Sequence, residues 1–313
     1  MNDTLANTTE AMQRRLRKLL PLCVLCLLAA CESKTSSTGG DGKPQVLTTF
    51  YPTTYFAQRL VGDYATVRCP VPEGEDPIFW MPDAAAIAEY QSADLIVVNG
   101  AAFEKWVAKV NLPESRVVDT ASGFADRFIE YQGTVTHSHG PKGEHAHEGL
   151  DGHTWLAPEL AVLQVQALQG ACARVFPDHK ADINTRARAL IADLEALSAE
   201  FAKVTLPPIL ASHPAYNYIA RQYGWQVHNL DLDPDAIPDS AQVAEVQGLL
   251  AQGSYKHLLW EGEPRAETQQ LFAKLGLQSL VFSPCEMLES GSDTDYLKVM
   301  RANLTALQSI QGQ

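Results

Sequence analysis

The sequence is short of positive charge. Its 313 residues include 24 lysines and arginines against 37 aspartates and glutamates, which gives a formal net charge of −13 at pH 7. Proteins that bind nucleic acids need a basic face, so this balance argues against DNA or RNA as a partner. An acidic protein instead attracts cations through its overall field.

Long hydrophobic runs are missing beyond the first thirty residues. The run from Leu19 to Ala30 follows a cluster of basic residues and is too short to cross a bilayer comfortably as a permanent helix. It ends in Ala29-Ala30-Cys31, which resembles a bacterial lipoprotein signal. We therefore predict a signal peptide over residues 1–31, a lipid on Cys31, and a flexible tether over residues 32–43. The mature protein would be periplasmic or at the cell surface, anchored to the membrane by that lipid.

Cysteine is scarce in the rest of the chain. Beyond Cys31 the sequence contains three cysteines, Cys69, Cys172 and Cys285. An odd count permits at most one internal disulfide. Cys69 and Cys285 both follow predicted strands, and the sequence leaves open whether they pair.

Short apolar strands alternate with helical segments from residue 44 onward. This alternation is typical of mostly parallel sheets flanked by helices. We predict an α/β fold of two lobes joined by one long rigid helix, with a ligand cleft between the lobes. The expected boundaries are an N-terminal α/β lobe over 44–177, a linking helix over 178–204 and a C-terminal α/β lobe over 205–313. Within the first lobe we expect a helix from Phe103 to Lys109 and a long histidine-rich loop over 120–152 without apolar periodicity.

The nine histidines are unevenly distributed. Six of them lie in three short segments: the run His137, His139, His145 and His147, then His153, and finally His213. Neutral imidazole is a favoured ligand of zinc and related metals. The pattern indicates a protein that handles a transition metal.

The run of four histidines has His-x-His spacing, which can hold a metal in an extended segment with little demand on the fold. We expect it to act as an auxiliary loop that binds metal weakly and exchangeably. The loop favours zinc over manganese, because manganese prefers more oxygen ligands.

Several motifs resemble one family over some 260 residues, the metal-specific solute-binding proteins of bacterial ABC importers for zinc and manganese. The matching segments are Thr49-Phe50-Tyr51-Pro52, Gly74-Glu75-Asp76-Pro77, Ala93 to Gly100 with Trp106, His153-Thr154-Trp155-Leu156-Ala157-Pro158, His213-Pro214-Ala215-Tyr216-Asn217-Tyr218, Tyr296-Leu297 and Asn303-Leu304. The resemblance implies a metal held in the cleft by one or two residues from each lobe.

The family's ligand pattern maps onto this sequence only in part. The histidine of the His-x-Trp-Leu segment is His153, and the ligand before the Pro-Ala-Tyr segment is His213. The position after Asp-Pro, usually histidine, is Ile78, and the usual aspartate after the last strand is replaced by Ser283. Two imidazoles alone are an incomplete zinc site, because zinc takes three or four protein ligands.

Other side chains must therefore complete the site. Glu261 is the best candidate, since it directly follows a predicted buried strand and would point into the cleft. Four further residues are candidates: Asp76, His228, Cys285 and Glu286. A thiolate from Cys285 would favour softer ions.

The leading hypothesis is a monomeric extracytoplasmic receptor that captures a divalent metal, Zn²⁺ or alternatively Mn²⁺, and delivers it to an ABC-type permease in the inner membrane. One alternative is a divergent relative that acts as a metal buffer or an adhesin, or that binds another ligand. A second alternative is a secreted metalloenzyme with Glu263 as general base. The sequence contains neither a His-Glu-x-x-His nor a Gly-x-Ser-x-Gly motif. We therefore predict that the protein is not an enzyme.

Overall fold

A computed structural model of the chain describes residues 42–131, 135–138, 144–147, 149–253, 255–287 and 295–311, the segments 135–138 and 144–147 as backbone only. The predicted signal segment with Cys31, nearly all of the tether, and His139 lie outside the described residues. None of the helices within these ranges combines the length and the apolar character needed to span a bilayer.

The first four-stranded sheet, which with its helices we call the N lobe, is parallel and has the strand order β2-β1-β3-β4. Its elements are β1 (Gln45–Thr48), α1 (Tyr51–Val61), β2 (Thr66–Arg68), α2 (Ala84–Ser92), β3 (Leu95–Val98) and β4 (Val117–Asp119). The central strand β3 is apolar and buried throughout, as expected of a strand covered on both faces. Asp83 caps α2 by accepting a hydrogen bond from the backbone N–H of Ala86.

The expectation of a helix from Phe103 to Lys109 is wrong. Only a 3₁₀ turn, Val107–Lys109, forms there. The Glu104 carboxylate accepts hydrogen bonds from the backbone N–H groups of Asn99 at 2.6 Å and Gly100 at 3.3 Å. These bonds hold Glu104 against the end of β3. The segment after β3 therefore folds back towards the strand and does not form the predicted α-helix.

The expectation of an irregular loop over residues 120–152 is also wrong in part. A 3₁₀ segment covers Ser122–Arg127, and strands β5 (Val135–Ser138) and β6 (Glu144–His147) form an antiparallel hairpin. Three of the four clustered histidines lie on these strands, and His137 and His145 are register partners. Sequence reasoning missed the hairpin because its strands carry no apolar alternation.

Two long helices follow the hairpin. They are α3 (Pro158–Val175) and α4 (Lys180–Phe201), separated by the 3₁₀ turn Pro177–His179. The predicted apolar stripe of α4 is buried, from Ile183 through Leu190 to Leu197. Helix α4 packs against α1 and α3 on one side and against the last helix of the chain on the other. It therefore connects the two halves, as predicted.

The second four-stranded sheet, which with its helices we call the C lobe, is also parallel, with the order β10-β9-β7-β8. Its elements are β7 (Ile209–Ala211), α5 (Asn217–Tyr223), β8 (Val227–Asn229), α6 (Ser240–Gln252), β9 (His257–Trp260), α7 (Ala266–Lys274), β10 (Gln278–Val281) and α8 (Tyr296–Gln308). Both sheets thus have the same topology. Ligands of such sheets bind beyond the carboxyl ends of the strands, where the order reverses.

One hydrophobic cluster runs through both lobes. It includes Phe50 and Trp155 from the N lobe, Leu194 from α4, and Tyr216 and Phe282 from the C lobe. Phe50 packs edge-on against Trp155, with ring centroids 4.6 Å apart. Because the apolar core continues from one sheet to the other, the two lobes are packed as one body.

Candidate metal centre

His153 lies at the start of the turn that leads into α3, and it is 1% exposed. Its backbone N–H and its ring both contact Asp151: the N–H donates to Oδ1 at 2.9 Å, and Nδ1 lies 2.8 Å from the same oxygen. On the other side of the ring, Nε2 lies 3.0 Å from Oε1 of Glu286. The imidazole is therefore held between two carboxylates.

The residue before His153 has to be glycine. A Cβ on Gly152 would stand 2.8 Å from Cβ of Phe103, closer than real Cβ atoms approach. Asn99, at the end of β3, donates to the Gly152 carbonyl at 2.8 Å and accepts from Thr154 at 3.2 Å. These bonds fix the His153 segment to the point where the strand order of the N lobe reverses.

The charge state of His153 follows from its neighbours. Burial alone would lower its pKa, but the hydrogen bonds and charges of Asp151 and Glu286 outweigh burial and raise the pKa to about 10. The metal-free protein therefore carries an imidazolium here at neutral pH. A metal ion that binds Nε2 must displace that proton.

His213 approaches from the C lobe. It follows β7, while Glu261 follows the neighbouring strand β9, so both stand at the carboxyl edge where the order of this sheet reverses. Nδ1 of His213 lies 3.8 Å from Oε2 of Glu261. The ring centroids of His213 and His153 are 5.6 Å apart, with the ring planes at 82°. The structure thus brings together the two histidines predicted from opposite lobes.

Glu261 is 13% exposed by its side chain, and its pKa is raised well above the usual range. Burial is the main cause, and the negative charge of Glu286 adds to it, while His153 opposes the shift. Asp233 and Asp76 contribute smaller raising effects. A divalent cation at this position would supply the positive charge that lets Glu261 ionise.

Glu286 connects this cluster to a cavity of about 220 Å³. It is contributed by the loop after β10, where its backbone carbonyl accepts a hydrogen bond from the N–H of Tyr51 at 3.3 Å. The cavity is also lined by Cys69, Glu73 and Glu75. Because Glu286 lines this cavity, space large enough for water molecules lies next to the residue whose carboxylate contacts His153.

Two other predicted candidates, His228 and Asp76, have contacts of their own. His228 sits on β8 beside Tyr255, with ring centroids 6.2 Å apart, and the next residue, Asn229, bonds to Asn217. Because successive side chains of a strand face opposite sides, His228 is directed away from that bond. Asp76 accepts a hydrogen bond from the N–H of Ile78 at 2.8 Å, and its charge raises the pKa of Glu261.

The thiol of Cys285, another predicted candidate, is buried. Cys285 is 3% exposed, has the left-handed φ of 62°, and burial raises the pKa of its thiol to about 12. Cys69, Cys172 and Cys285 are all free, so Cys69 and Cys285 form no disulfide. Glu263, the general base of the enzyme alternative, is exposed and accepts a hydrogen bond from Gln269.

Sequence reasoning missed Asp151 and placed Glu286, which contacts His153, only among the further candidates. The signal for Asp151 was its position two residues before a candidate ligand, where a short turn can return a carboxylate to the ring. In the described part of the chain no three His, Cys, Asp or Glu side chains already surround one point at metal-ligand spacing. The reason is visible in the ion pair: Glu286 is bonded to His153 itself, so a bound metal requires these two side chains to separate.

Comparisons with known proteins show which family the chain resembles. The family model described as "Zinc-uptake complex component A periplasmic" matches residues 46–310. The zinc-binding lipoprotein AdcA of Streptococcus pneumoniae is 31% identical over 310 residues, covering 94% of this chain and 60% of AdcA. The high-affinity zinc uptake system protein ZnuA of Bacillus subtilis is 28% identical, covering 93% of this chain and 95% of ZnuA. This chain thus spans less than two thirds of AdcA and nearly all of ZnuA.

Solved structures show the same fold. The crystal structure of Zn(II)-bound AdcA from Streptococcus pneumoniae superposes with a TM-score of 0.74 at 26% identity, covering 87% of this chain and 58% of that one. The metal-dependent lipoprotein YcdH from Bacillus subtilis has the same TM-score at 25% identity, covering 86% of this chain and 100% of that one. With a match over residues 46–310, the chain belongs to the family of zinc-uptake complex component A, periplasmic.

Proposed function

We propose that this chain is an extracytoplasmic receptor that binds Zn²⁺ with His153, His213, Glu286 and Glu261 and passes it to an ABC-type importer. The observation that carries the proposal is the convergence of two imidazoles from opposite lobes, 5.6 Å apart, each beside a carboxylate. Two nitrogens and two oxygens supply the four ligands of a tetrahedral zinc ion. Glu286 and Glu261 would serve in place of the histidine and aspartate ligands that are usual at the positions of Ile78 and Ser283.

Zinc is the preferred cargo and Mn²⁺ the alternative. Imidazole nitrogen suits zinc, whereas manganese favours sites richer in oxygen. The matched relatives that are named for zinc support the same choice. The histidine-rich hairpin would be an auxiliary, exchangeable site ahead of the cleft.

We further propose that the receptor is a monomer, that a lipid anchors it to the membrane, and that it delivers the metal to a membrane permease. Cys31 would carry the lipid and hold the receptor at the outer face of the membrane. Replacing Cys31 by Ala should release the protein into the soluble fraction, whereas replacing the buried Cys172 by Ser should not. A membrane-bound Cys31→Ala protein would contradict the anchor.

The deciding experiment is a zinc titration of the metal-free protein against a chelator of known affinity, with manganese in parallel. We expect one tight zinc per chain, absent from the variant with both His153→Ala and His213→Ala. Deletion of residues 137–147 should leave the tight site intact, and His179→Ala, at an exposed histidine stacked on Tyr64, is the matched control. Loss of tight binding on deletion of the hairpin would place the main site there instead.

A further inference from the structure

Asp151 is the most completely buried carboxylate beside the metal centre, at 0% exposure, and both of its oxygens have partners. Oδ1 faces the backbone N–H and Nδ1 of His153, as described above. Oδ2 accepts a hydrogen bond from Nδ2 of Asn217 at 2.9 Å. The carboxylate thus touches the N-lobe ligand and the C lobe at once.

The C-lobe partner belongs to the segment that carries the other imidazole. Asn217 lies four residues after His213, and its Nδ2 also donates to the carbonyl of Pro214 at 3.1 Å. Its Oδ1 accepts from Asn229 at 2.9 Å. The next residue, Tyr218, donates its hydroxyl to the Asp151 backbone carbonyl at 2.8 Å. Asp151 is therefore bonded to the segments of both histidines.

A metal bound by Nε2 of His153 requires the ring's remaining proton to be on Nδ1. A carboxylate that accepts this N–H fixes the tautomer and ring orientation and makes Nε2 a stronger donor. Asp151 Oδ1 stands at hydrogen-bond distance from Nδ1 for this purpose. Both oxygens of Asp151 can keep their hydrogen-bond partners when Glu286 moves away from Nε2 of His153.

We propose that Asp151 is a positioning residue of the zinc site: its carboxylate orients His153 for metal binding, and its contact with Asn217 sets the place of His153 relative to His213. The inference rests on the proposed function and deepens it. The competing explanation is that Asp151 only ties the lobes together, with no effect through the ring.

Exchanging aspartate and asparagine between positions 151 and 217 separates these two explanations. In Asp151→Asn, the amide oxygen can still accept from His153, but the new NH₂ group meets Nδ2 of Asn217, donor against donor. Adding Asn217→Asp restores a donor and an acceptor across this contact and keeps an acceptor for Asn229, although it gives up the hydrogen bond to the Pro214 carbonyl. The double variant thus repairs the tie between the lobes while leaving His153 without its carboxylate.

The test is chelator-competition zinc titration of the wild type, Asp151→Asn and the double variant, with the thermal unfolding of each metal-free protein. We expect zinc affinity to fall about 10- to 100-fold in both variants, the usual effect of removing a carboxylate behind a ligating histidine. The double variant should unfold at a higher temperature than Asp151→Asn, because it regains the contact between positions 151 and 217, but it should not recover the affinity. If the single variant does not fold, the double variant carries the test.

A spectroscopic signature should accompany the affinity loss. In the zinc-loaded double variant, the ¹⁵N resonance of His153 Nδ1 should shift from its wild-type position, because an amide oxygen polarises the N–H less than a carboxylate does. Wild-type affinity in either variant would overturn the inference. A wild type that binds no zinc would overturn the proposed function and this inference with it, so the two failures are distinguishable.

Discussion

The two halves of the metal centre are built differently. In the N lobe, His153 is held by Asp151 of the same lobe at 2.8 Å and by Glu286 of the C lobe at 3.0 Å, and its segment is bonded to the end of β3 through Asn99. In the C lobe, the contact between His213 and Glu261 is longer, at 3.8 Å. Imidazole and carboxylate are paired in both halves, but at different separations.

This difference indicates how charge is distributed before metal binds. The N-lobe half carries an imidazolium between two carboxylates, because their hydrogen bonds and charges raise the pKa of His153. In the C-lobe half, burial raises the pKa of Glu261 and favours its neutral form. Zinc must therefore displace the proton of His153, while at Glu261 it stabilises the ionised form that burial disfavours, and each half can be tested separately.

The largest expected effect is the removal of each imidazole. His153→Ala and His213→Ala should each weaken zinc binding by about two orders of magnitude, as loss of one of four ligands implies. Only His153→Ala should also destabilise the metal-free protein, by about 3 kcal/mol, because it leaves Asp151 and Glu286 buried without their cation. Denaturant unfolding measures this difference, and equal destabilisation by the two variants would remove the contrast between the halves.

The next effect concerns the two carboxylates. Glu286→Gln should lower zinc affinity about 100-fold and also weaken the ion pair with His153. Glu261→Gln should lower zinc affinity about tenfold without destabilising the metal-free protein, because the amide keeps the shape of the side chain and carries no charge at a position where burial disfavours one. The measurement is competition titration with parallel thermal unfolding. Unchanged zinc affinity in Glu261→Gln would remove this residue from the ligand set.

The pH dependence of zinc binding sharpens the comparison. Since the pKa of His153 is raised to about 10, its proton is present throughout the neutral range and must leave when zinc binds. Zinc affinity should therefore rise with pH, by about tenfold per unit for each proton displaced, and it should still rise between pH 7 and 8. Calorimetry in buffers of different ionisation enthalpy counts the released protons. A flat affinity from pH 7 to 8 would mean that His153 is already neutral.

Much of the fold could be predicted from the sequence, because buried strands such as Leu95–Val98 and the apolar stripe of α4 follow directly from hydrophobic periodicity. The resemblance to the family supplied His153 and His213, and Glu261 was added because it directly follows a predicted buried strand; their role as ligands stays a prediction. The hairpin of β5 and β6 could not be predicted, because its polar strands carry no such pattern.

Which of the remaining candidate side chains lie close to His153 depends on the backbone path of the loops, and the sequence does not reveal that path. After β10 the chain passes through a left-handed residue, Cys285, which buries the thiol and is followed by Glu286 at the cleft. Sequence reasoning gave these neighbours equal weight. Asp151 was missed for a similar reason: whether a carboxylate two residues before a histidine reaches its ring depends on the turn between them, which the sequence does not reveal.

The smallest expected effect on zinc comes from a buried acid of the N lobe outside the metal centre. Glu104 accepts hydrogen bonds from Thr49, Asn99 and Gly100, which lower its pKa, but burial outweighs them and raises the pKa to about 7. Because the folded state keeps this proton above the pH at which the unfolded chain loses it, stability from Glu104 is fully present below about pH 4.5 and is lost as pH rises through 7.

We therefore expect the free energy of unfolding of the wild type to fall by up to about 1.4 kcal/mol per pH unit between pH 5 and 7 through this group. Glu104→Gln should flatten that slope and leave zinc affinity unchanged, in contrast to Glu286→Gln. Urea unfolding at pH 5, 6, 7 and 8 measures the slope. If Glu104→Gln weakened zinc binding as much as Glu286→Gln does, the N-lobe half of the site would depend on the whole hydrogen-bonded end of β3 rather than on the carboxylates that touch His153.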